Sequence, residues 1–286
     1  MVALMAALNE PLSAAPPDVA HLETGLLLEA LYQQFGHDYR AYDRSAVQRR
    51  LRVLMQARAL ATVSALQEKL LHEAGVVQDL LRVLAPEPGG LFDDPAFARE
   101  LRSVLAASLH ASAVPKIWLA ECAGAVNAWA LAIVLAEQQL DARTEIFATV
   151  ANEELMQEMR DASVPVETLA QWQGLYVQGG GQGELSSYFE VAGGRARLRA
   201  QLRERITWAQ YSIATDASFN EFDAIICSRP LPDFGPALRQ RALCLFHDSL
   251  ARFGVLAIDR QLTPGDAYAG SYQAIGAQRH WYKRVV

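Results

Sequence analysis

The chain has 286 residues, 51% of them hydrophobic, so it can bury a full core and is expected to form two domains. Its formal net charge of -6 argues against general nucleic-acid binding, which needs a basic surface. Cys122, Cys227 and Cys244 lie far apart, which excludes the usual zinc spacings and a disulfide framework. We therefore expect no bound metal and a reducing, cytoplasmic setting.

The N-terminal segment 1–20 is predicted to be a disordered tail. Its opening residues are apolar, but they lack the basic flank and the long hydrophobic core of a signal peptide. No segment approaches the run of about 18 uncharged apolar residues that a membrane span needs. The sequence therefore predicts no membrane insertion.

A small all-helical domain is predicted over residues 21–84. Apolar residues recur at helical spacing over 24–35, 45–60, 63–73 and 76–83. Glycines separate the first two of these segments and the last two, as expected at helix ends.

The second predicted helix carries a basic surface. Val47, Leu51 and Leu54 share one face, so arginines such as Arg49 and Arg52 are expected on the outside. The segment 40–58 holds a single acid, Asp43, and six arginines: Arg40, Arg44, Arg49, Arg50, Arg52 and Arg58. Such a run is either a solvated helix face or a surface that docks on an acidic partner.

A linker and a connecting helix are predicted over residues 85–111. The part from 85 to 95 contains three prolines and two glycines, which is typical of a loop. The part from 97 to 109 has helical spacing and leads into the larger domain.

Strand and helix signals alternate over residues 112–286. Strands are predicted at 116–120, 145–149, 206–212, 222–227, 254–259 and 281–285. This alternation predicts an α/β fold in which a mostly parallel sheet is covered by helices on both faces. Ligands of such sheets bind beyond the carboxyl ends of the strands.

The segment 116–130 has the layout of a nucleotide-binding strand, turn and helix, but Gly124 is the only glycine in its turn. Turns that cradle a nucleotide usually need several glycines for close backbone approach, and a polar or acidic residue that holds the ligand. The frame of a binding site is present, while the groups that would contact the ligand are missing.

This segment resembles the first strand and turn of the CheR family, the S-adenosylmethionine (SAM) dependent methyltransferases that esterify glutamates on bacterial chemoreceptors. The family typically reads I-W-S-A-A-C-S-T-G-E-E-P-Y-S here. Ile117, Trp118, Ala120 and Cys122 match this pattern, and Trp129 stands in place of its tyrosine. The resemblance extends over about residues 26–284 and implies a class I SAM-methyltransferase-type, Rossmann-like sheet after a helical domain.

The departures from the family pattern fall on positions that hold SAM in the family. The arginine of L-T-x-N-x-T-x-F-F-R, which binds the SAM carboxylate, is replaced by Asp93. The first aspartate of A-T-D-I-D, which binds the ribose hydroxyls, is replaced by Val150. The tyrosine of C-R-N-V-x-I-Y-F, which lies near the reacting groups, is replaced by Asp233. A degenerate SAM site is therefore predicted at Asp93, Ala120, Val126, Asn127, Val150, Ser212 and Arg229.

The lost contacts are large enough to affect binding. Each hydrogen bond to a charged ligand group contributes roughly 1.5 to 3 kcal/mol, and micromolar affinity corresponds to about 8 kcal/mol. Positions 126, 150, 212 and 229 are expected to converge on one pocket at the strand ends. We expect no bound cofactor and no catalytic residues, unless the altered site still accepts SAM.

Arginines outside the helical domain have two interpretations each. Arg229 either binds an anion in the altered pocket or forms a structural ion pair, with Asp93 as one predicted partner. Arg195 and Arg197 follow a Gly-Gly turn and form either a solvated edge or, as the family resemblance implies, part of a small antiparallel insertion that contacts the receptor.

The sequence thus favours a CheR-like pseudoenzyme that serves as a protein-interaction or regulatory module in bacterial chemotaxis-type signalling. Its partner would be a chemoreceptor or another signalling protein. One alternative is an active SAM-dependent protein-glutamate O-methyltransferase of chemoreceptors. Another is a sensor that binds an anionic nucleotide through Arg195, Arg197 or Arg229.

Overall fold

A computed structural model describes residues 18–90, 92–227, 229–276 and 281–286. The predicted tail lies outside these residues except at its end, where the first helix already begins at Val19. Within the described residues, no helix is long and apolar enough to cross a membrane.

Among the described residues, four helices form the N-terminal domain, as the sequence predicts. They are α1 Val19–Phe35, α2 Arg44–Ala57, α3 Val63–His72 and α4 Val76–Leu84. The first three each begin with a side chain that accepts a hydrogen bond from a backbone N–H of the first turn: Asp18, Asp43 and Thr62. Gly36 ends α1 in the left-handed conformation, with φ of 78°.

The rest of the chain alternates strands and helices. In chain order these are α5 Pro95–Ser108, β1 Lys116–Ala120, α6 Ala125–Glu137, β2 Glu145–Val150, α7 Glu153–Arg160, β3 Val164–Pro165, α8 Glu167–Gln178, β4 Phe189–Ala192, β5 Arg195–Leu198, α9 Ala200–Arg203, β6 Ile206–Gln210, β7 Phe222–Cys227, α10 Pro236–Ser249, β8 Leu250–Ala257, β9 Tyr272–Ile275 and β10 Trp281–Arg284.

The larger sheet has the strand order β6-β2-β1-β7-β8-β10-β9. The five strands from β6 to β8 are parallel, while β10 and β9 are antiparallel to their neighbours. Ile117 of β1 pairs with Ile146 of β2 on one side and with Ala224 of β7 on the other. Strands β2 and β6 are added on one side of β1, and β7 and β8 are added on the other side. The point where the strand order reverses therefore lies beside β1. The predicted mostly parallel α/β sheet is confirmed.

A second, antiparallel sheet has the order β3-β5-β4, with Gly193 and Gly194 at positive φ in the turn between β4 and β5. It lies where the family resemblance implies a small antiparallel insertion, around Arg195 and Arg197. In the larger sheet, β8 begins at Leu250 rather than at residue 254. The register between β7 and β8 shifts here, with extra residues on β8 between Leu250 and Val255, and Phe253 has a left-handed φ of 68°.

The two faces of the larger sheet are covered by different parts of the chain. One face packs against α5, α6 and their neighbours in the α/β domain. The other packs against α10 and against the helical domain, where Leu27 and Leu51 share one apolar core with Trp118 and Phe222. The helical domain therefore completes the core of the α/β domain.

Candidate functional site

A cavity of about 450 Å³ lies at the carboxyl ends of β1, β7 and β8. Leu119, Ile226 and Ala257 line it from these three strands, and Phe97 and Leu101 line it from α5. We call it the strand-end cavity. Its position beside the reversal of the strand order is where open α/β sheets bind ligands.

Acidic side chains dominate the polar lining of the strand-end cavity. They are Glu87, Asp93, Asp94 and Asp259. The described lining residues include no lysine, arginine or histidine. Three of the carboxylates also accept a hydrogen bond from a backbone N–H: Asp93 from Gly90 at 2.9 Å, Asp94 from Phe97 at 2.9 Å and Asp259 from Leu231 at 2.8 Å. The cavity is therefore negative, and its acids are held in place by the loops.

The turn after β1 is covered by the linker. A Cβ placed on Gly124 would lie 3.1 Å from the Cβ of Pro88. The backbone here, which approaches the ligand in nucleotide-binding turns, instead contacts Pro88. Asn127, in the first turn of α6, lines the cavity, and its buried Oδ1 has no hydrogen-bond partner among the described residues.

A second cavity, of about 240 Å³, lies between the two domains. We call it the interdomain cavity. Tyr39 and Tyr42 line it from the helical domain, and Glu121, Gln210 and Ser212 line it from the ends of β1 and β6. Burial raises the pKa of Tyr39 to about 12, so this phenol stays protonated at neutral pH.

A buried ionic network lies near the interdomain cavity. Arg229 is only 1% exposed, and its Nε donates to Oε2 of Glu121 at 2.8 Å. Its Nη1 lies 3.5 Å from Oδ2 of Asp233, and its Nη2 donates to the carbonyl of Leu84 at 2.9 Å. Arg50 of α2 donates to the same Asp233 oxygen at 2.7 Å. We call Glu121, Arg229, Asp233 and Arg50 the Arg229 network.

Arg229 therefore forms the structural ion pair that was one of its two predicted roles. Its partners are Glu121 and Asp233, so the predicted pairing with Asp93 is wrong. Asp93 is exposed and accepts from Gly90 instead. Sequence reasoning missed Glu121, although a glutamate directly after the buried strand β1 is a signal that it needs a cationic partner.

The predicted site positions do not share one pocket. Asp93 and Asn127 line the strand-end cavity, whereas Ser212 lines the interdomain cavity. Ala120 and Val150 are buried in the core, Val126 packs against it, and Arg229 is buried in its network. The prediction of a single pocket is wrong because β1 and the turn after it lie between the two cavities.

The basic surface of the helical domain is smaller than the sequence predicts. Arg50 is only 8% exposed, because it lies on the same side of α2 as Val47 and Leu54 and contacts Asp233. It is therefore unsuitable for docking, and this part of the prediction is wrong. Arg40 pairs with acids of its own domain.

The other four arginines of this segment differ in their availability. Arg58 pairs with Asp79, and Arg44 is partly buried. Arg49 and Arg52 are exposed, and the side chain of Arg49 is 62% accessible although it lies 3.5 Å from Asp233. The exposed cations of α2 are therefore Arg49 and Arg52.

Arg195 and Arg197, on β5 of the small sheet, donate hydrogen bonds to a neighbouring part of the α/β domain. Arg195 donates through Nε to Oγ of Ser163 at 2.6 Å. Arg197 donates through Nη2 to the carbonyl of Arg160 at 2.6 Å. These contacts tie β5 to the segment that follows α7, and neither arginine lines the two cavities described above.

The cysteines near the site are weak nucleophiles. All three cysteines are free. Burial raises the pKa of Cys122 and of Cys227, the latter in the lining of the strand-end cavity, to about 12. Across the described ranges, no group of three or more His, Cys, Asp or Glu side chains is arranged to hold a metal ion.

A parallel sheet with this strand order, a reversal beside β1 and a cavity at that point define a class I SAM-methyltransferase-type fold. The all-alpha domain of CheR methyltransferases matches residues 23–85, and the SAM binding domain of CheR methyltransferases matches residues 91–261. The chain belongs to the CheR methyltransferase family.

Relatives of the chain are found among curated proteins. A Pseudomonas putida protein named "Putative methyltransferase Cher3" is 30% identical over 255 residues, which covers 89% of this chain and 93% of that protein. An "Uncharacterized 104.1 kDa protein in hypE 3'region" of Rhodobacter capsulatus is 26% identical over 240 residues, which covers 81% of this chain and 24% of that protein.

Solved structures show a weaker similarity. The glycopeptide N-methyltransferase MtfA complexed with sinefungin is 14% identical with a TM-score of 0.34, covering 62% of this chain and 52% of that one. The LepI complex with SAM is 12% identical with a TM-score of 0.38, covering 87% and 50%. The chain thus spans about half the length of both.

The residues of the site are mismatched to SAM, the cofactor that the family implies. SAM carries a carboxylate beside its ammonium and sulfonium groups, and the described lining of the strand-end cavity offers no cationic side chain to that carboxylate. Val150, at the position of the ribose-binding aspartate, is 3% exposed and has no polar side-chain atom. Pro88 covers the turn at Gly124. These three features do not fit SAM.

Proposed function

We propose that this CheR-family chain has lost SAM binding and methyl transfer and acts as a protein-interaction or regulatory module in chemotaxis-type signalling in the cytoplasm. The observation that carries the proposal is the acidic lining of the strand-end cavity. Glu87, Asp93, Asp94 and Asp259 line the cavity without a cationic side chain among its described lining residues, and Asp93 has the position of the arginine that binds the SAM carboxylate in the family pattern.

Two effects should weaken SAM binding: the loss of an attractive contact with the SAM carboxylate and a new repulsion from Asp93. The contact that an arginine makes with a carboxylate is worth roughly 1.5 to 3 kcal/mol. Asp93 in its place adds like-charge repulsion of about 1 kcal/mol in water at 4 Å, and more where the effective dielectric constant is lower. Val150 adds the loss of the ribose hydrogen bonds. Together these effects remove much of the roughly 8 kcal/mol that micromolar binding requires.

Titration calorimetry with SAM and with its demethylated product tests the loss of binding. We expect no binding tighter than about 10 μM, which corresponds to ~7 kcal/mol. Circular dichroism of the same sample controls for folding. A dissociation constant below that limit would contradict the proposal.

An active protein-glutamate O-methyltransferase is the second candidate. The retained cavity at the carboxyl ends of β1, β7 and β8 favours it, and so does the similarity to a protein named as a methyltransferase. Transfer of a labelled methyl group from SAM to a purified chemoreceptor fragment would establish this candidate and refute the loss of activity.

An anionic-nucleotide sensor has little support. The three guanidinium nitrogens of Arg229 contact Glu121, Asp233 and the carbonyl of Leu84. Arg195 and Arg197 contact the protein at the end of α7. No arginine is found among the described lining residues of the strand-end cavity.

A partner is proposed for the outer face of α2. Arg49 and Arg52 are exposed there beside Val53, which is 59% exposed. A groove of about 260 Å³ adjoins this face and is lined by Arg49, Val53, Arg82 and Pro88 among others. Cations next to apolar groups suit an acidic amphipathic helix, such as those in the helical bundle of a chemoreceptor.

A further inference from the structure

We propose that Arg82 of α4 belongs to the docking surface for an acidic helix, and that Glu154 and Glu158 of α7 occupy Arg82 until such a helix displaces them. This inference rests on the docking proposed for the outer face of α2, and it adds a binding residue and a means of regulation. The contact between α4 and α7 is then an internal competitor of the partner.

The groove beside α2 extends onto α4. Arg49 and Val53 line it from α2, and Arg82 and Val83 line it from α4. Its described lining residues include three arginines and one acid, Glu87, so the groove is positive. A helix that lies in this groove would therefore meet the cation of α4 as well as those of α2.

Arg82 already binds carboxylates of another helix. Its Nη2 lies 3.2 Å from Oε1 of Glu154 and also donates to Oε1 of Glu158. Its Nη1 lies 3.4 Å from Oδ1 of Asp79, which is on α4 itself. Because the two glutamates belong to the α/β domain, the guanidinium of Arg82 forms an ionic contact between the two domains.

Helix α7 has the chemistry of the proposed partner. Leu155 and Met156 are buried in the core of the α/β domain, whereas Glu153, Glu154 and Glu158 are exposed. It is thus an acidic amphipathic helix whose carboxylates reach the edge of a basic groove. The same guanidinium can accept the carboxylates of a partner helix in their place.

The contact between α4 and α7 is open to exchange. The side chains of Arg82, Glu154 and Glu158 are 44%, 48% and 45% accessible. Exposed ion pairs contribute little to stability and are screened by salt. A partner that brings several carboxylates and apolar side chains to the groove can therefore replace Glu154 and Glu158. By linkage, the contact with α7 weakens the binding of the partner to the same extent.

Affinity measurements with a purified chemoreceptor cytoplasmic fragment at low salt test the competition. E154Q/E158Q removes both competing charges and should bind the fragment about fivefold more tightly than the parent protein, as expected for two exposed ion pairs. E167Q/E184Q makes the same charge change at exposed acids that do not line the groove, and its affinity should stay within about twofold of the parent. Equal affinities of the two double variants would overturn the inference.

Removal of Arg82 separates competition at this residue from an effect of net charge. R82Q should weaken binding of the fragment about fivefold. In the R82Q background, E154Q/E158Q should bring no further gain, because its glutamates then have no cation to release. A gain as large as in the parent protein would overturn the inference. Circular dichroism of each variant controls for folding.

A synthetic amphipathic helix, with glutamate on one face and leucine on the other, separates this inference from the proposed docking on a chemoreceptor. If the fragment binds to no variant, the chemoreceptor proposal fails. Tighter binding of the synthetic helix by E154Q/E158Q than by E167Q/E184Q would still uphold the inference. If neither probe binds, both proposals fail. If the fragment binds all variants equally, only the inference fails.

Discussion

Glu121, Arg229 and Asp233 are three substitutions that form one structural unit. In the CheR pattern their positions hold alanine, asparagine and tyrosine, and in this chain they form a buried set of ion pairs. Buried ions need partners because removal from water costs several kcal/mol per charge. Each of the three substitutions can therefore be explained only together with the other two, because each supplies a charge that the others need.

Removal of one member of this network should be more damaging than removal of two. Arg229→Asn leaves the carboxylate of Glu121, which is 4% exposed, without its cation and should lower the free energy of unfolding by about 3 to 5 kcal/mol. The double variant E121A/R229N leaves no unpaired charge at this place and should be at least about 2 kcal/mol more stable than R229N. Denaturant unfolding of both variants measures the difference.

An exposed pair in the same chain serves as the control. Lys69 and Glu73 form an ion pair on the surface of the helical domain. Lys69→Ala should change the free energy of unfolding by less than about 0.5 kcal/mol. A loss for R229N as small as that of K69A would show that the buried network contributes little.

His247 gives the fold a dependence on pH. It is buried, and its ring stacks on Tyr268 with centroids 3.9 Å apart. Its Nδ1 has no hydrogen-bond partner in the part of the chain that the structure describes. Burial lowers its pKa, Arg284 lowers it further, and Asp248 opposes them. Because the folded-state pKa lies below the unfolded value of about 6.5, the unfolded chain binds more protons, so stability falls as the pH drops through and below that value.

The replacement His247→Phe should remove this part of the pH dependence while it keeps a ring against Tyr268. Urea unfolding at about pH 8 and about pH 5.5 should show a larger loss of stability for the parent protein than for H247F. Equal losses would mean that His247 does not titrate differently in the two states.

Helix α2 shows what sequence periodicity can predict. The apolar spacing gave the helix within a few residues, 45–60 against Arg44–Ala57. It did not separate buried Arg50 from exposed Arg49, because the partner of Arg50 is Asp233, which is 183 residues away in the sequence. Tertiary structure determines which carboxylate pairs with a buried arginine. Helical spacing alone therefore does not reveal that Arg50 is buried.

The exposed face of α2 should be required for docking on a chemoreceptor. The variant R49E/R52E reverses both exposed cations and should abolish capture of a purified chemoreceptor cytoplasmic fragment in a pull-down. R205E/R252E makes the same charge change at exposed arginines of the α/β domain and should leave capture intact. Arg50 must be left in place, because its reversal would disrupt the Arg229 network. Arg49 also lies 3.5 Å from Asp233, so circular dichroism must show that R49E/R52E is folded.

Two results from R49E/R52E and R205E/R252E would contradict the docking prediction. Equal capture by R49E/R52E and R205E/R252E would show that α2 is not the docking face. Loss of capture by both would indicate an effect of net charge, which is screened as salt increases.

At the scale of the whole molecule, the two domains share one core. Tyr42 forms an isolated β-bridge with Phe234, and their rings pack edge to face with centroids 5.6 Å apart. Gly235 is required beside this bridge, since a Cβ on it would lie 2.5 Å from the carbonyl oxygen of Ala41. The helical domain is therefore joined to the sheet by backbone contacts as well as by apolar packing.

A shared core predicts a single unfolding transition. All five tryptophans lie between residues 118 and 281, outside the helical domain, so their fluorescence reports on the α/β domain. Circular dichroism reports on helices of both domains. The two denaturant curves should coincide, and a change in circular dichroism before the change in fluorescence would show that the helical domain unfolds independently.

The sequence predicted the frame of the molecule better than its site. The strands from β1 to β7 that form continuous apolar runs were predicted, because burial on both faces produces that pattern. Strands β3 and β9 were not, because Val164–Pro165 and Tyr272–Ile275 are short and partly exposed. The division of the predicted site between two cavities depends on side-chain packing around β1, which no local pattern encodes.

The Arg229 network also affects how this lineage can change. A mutation that restores asparagine at Arg229 alone would strand Glu121, and one that restores alanine at Glu121 alone would remove the main counter-ion of a buried arginine. Either single change therefore gives a destabilised protein. The alanine and asparagine of the family pattern can replace Glu121 and Arg229 without this cost only when both change together.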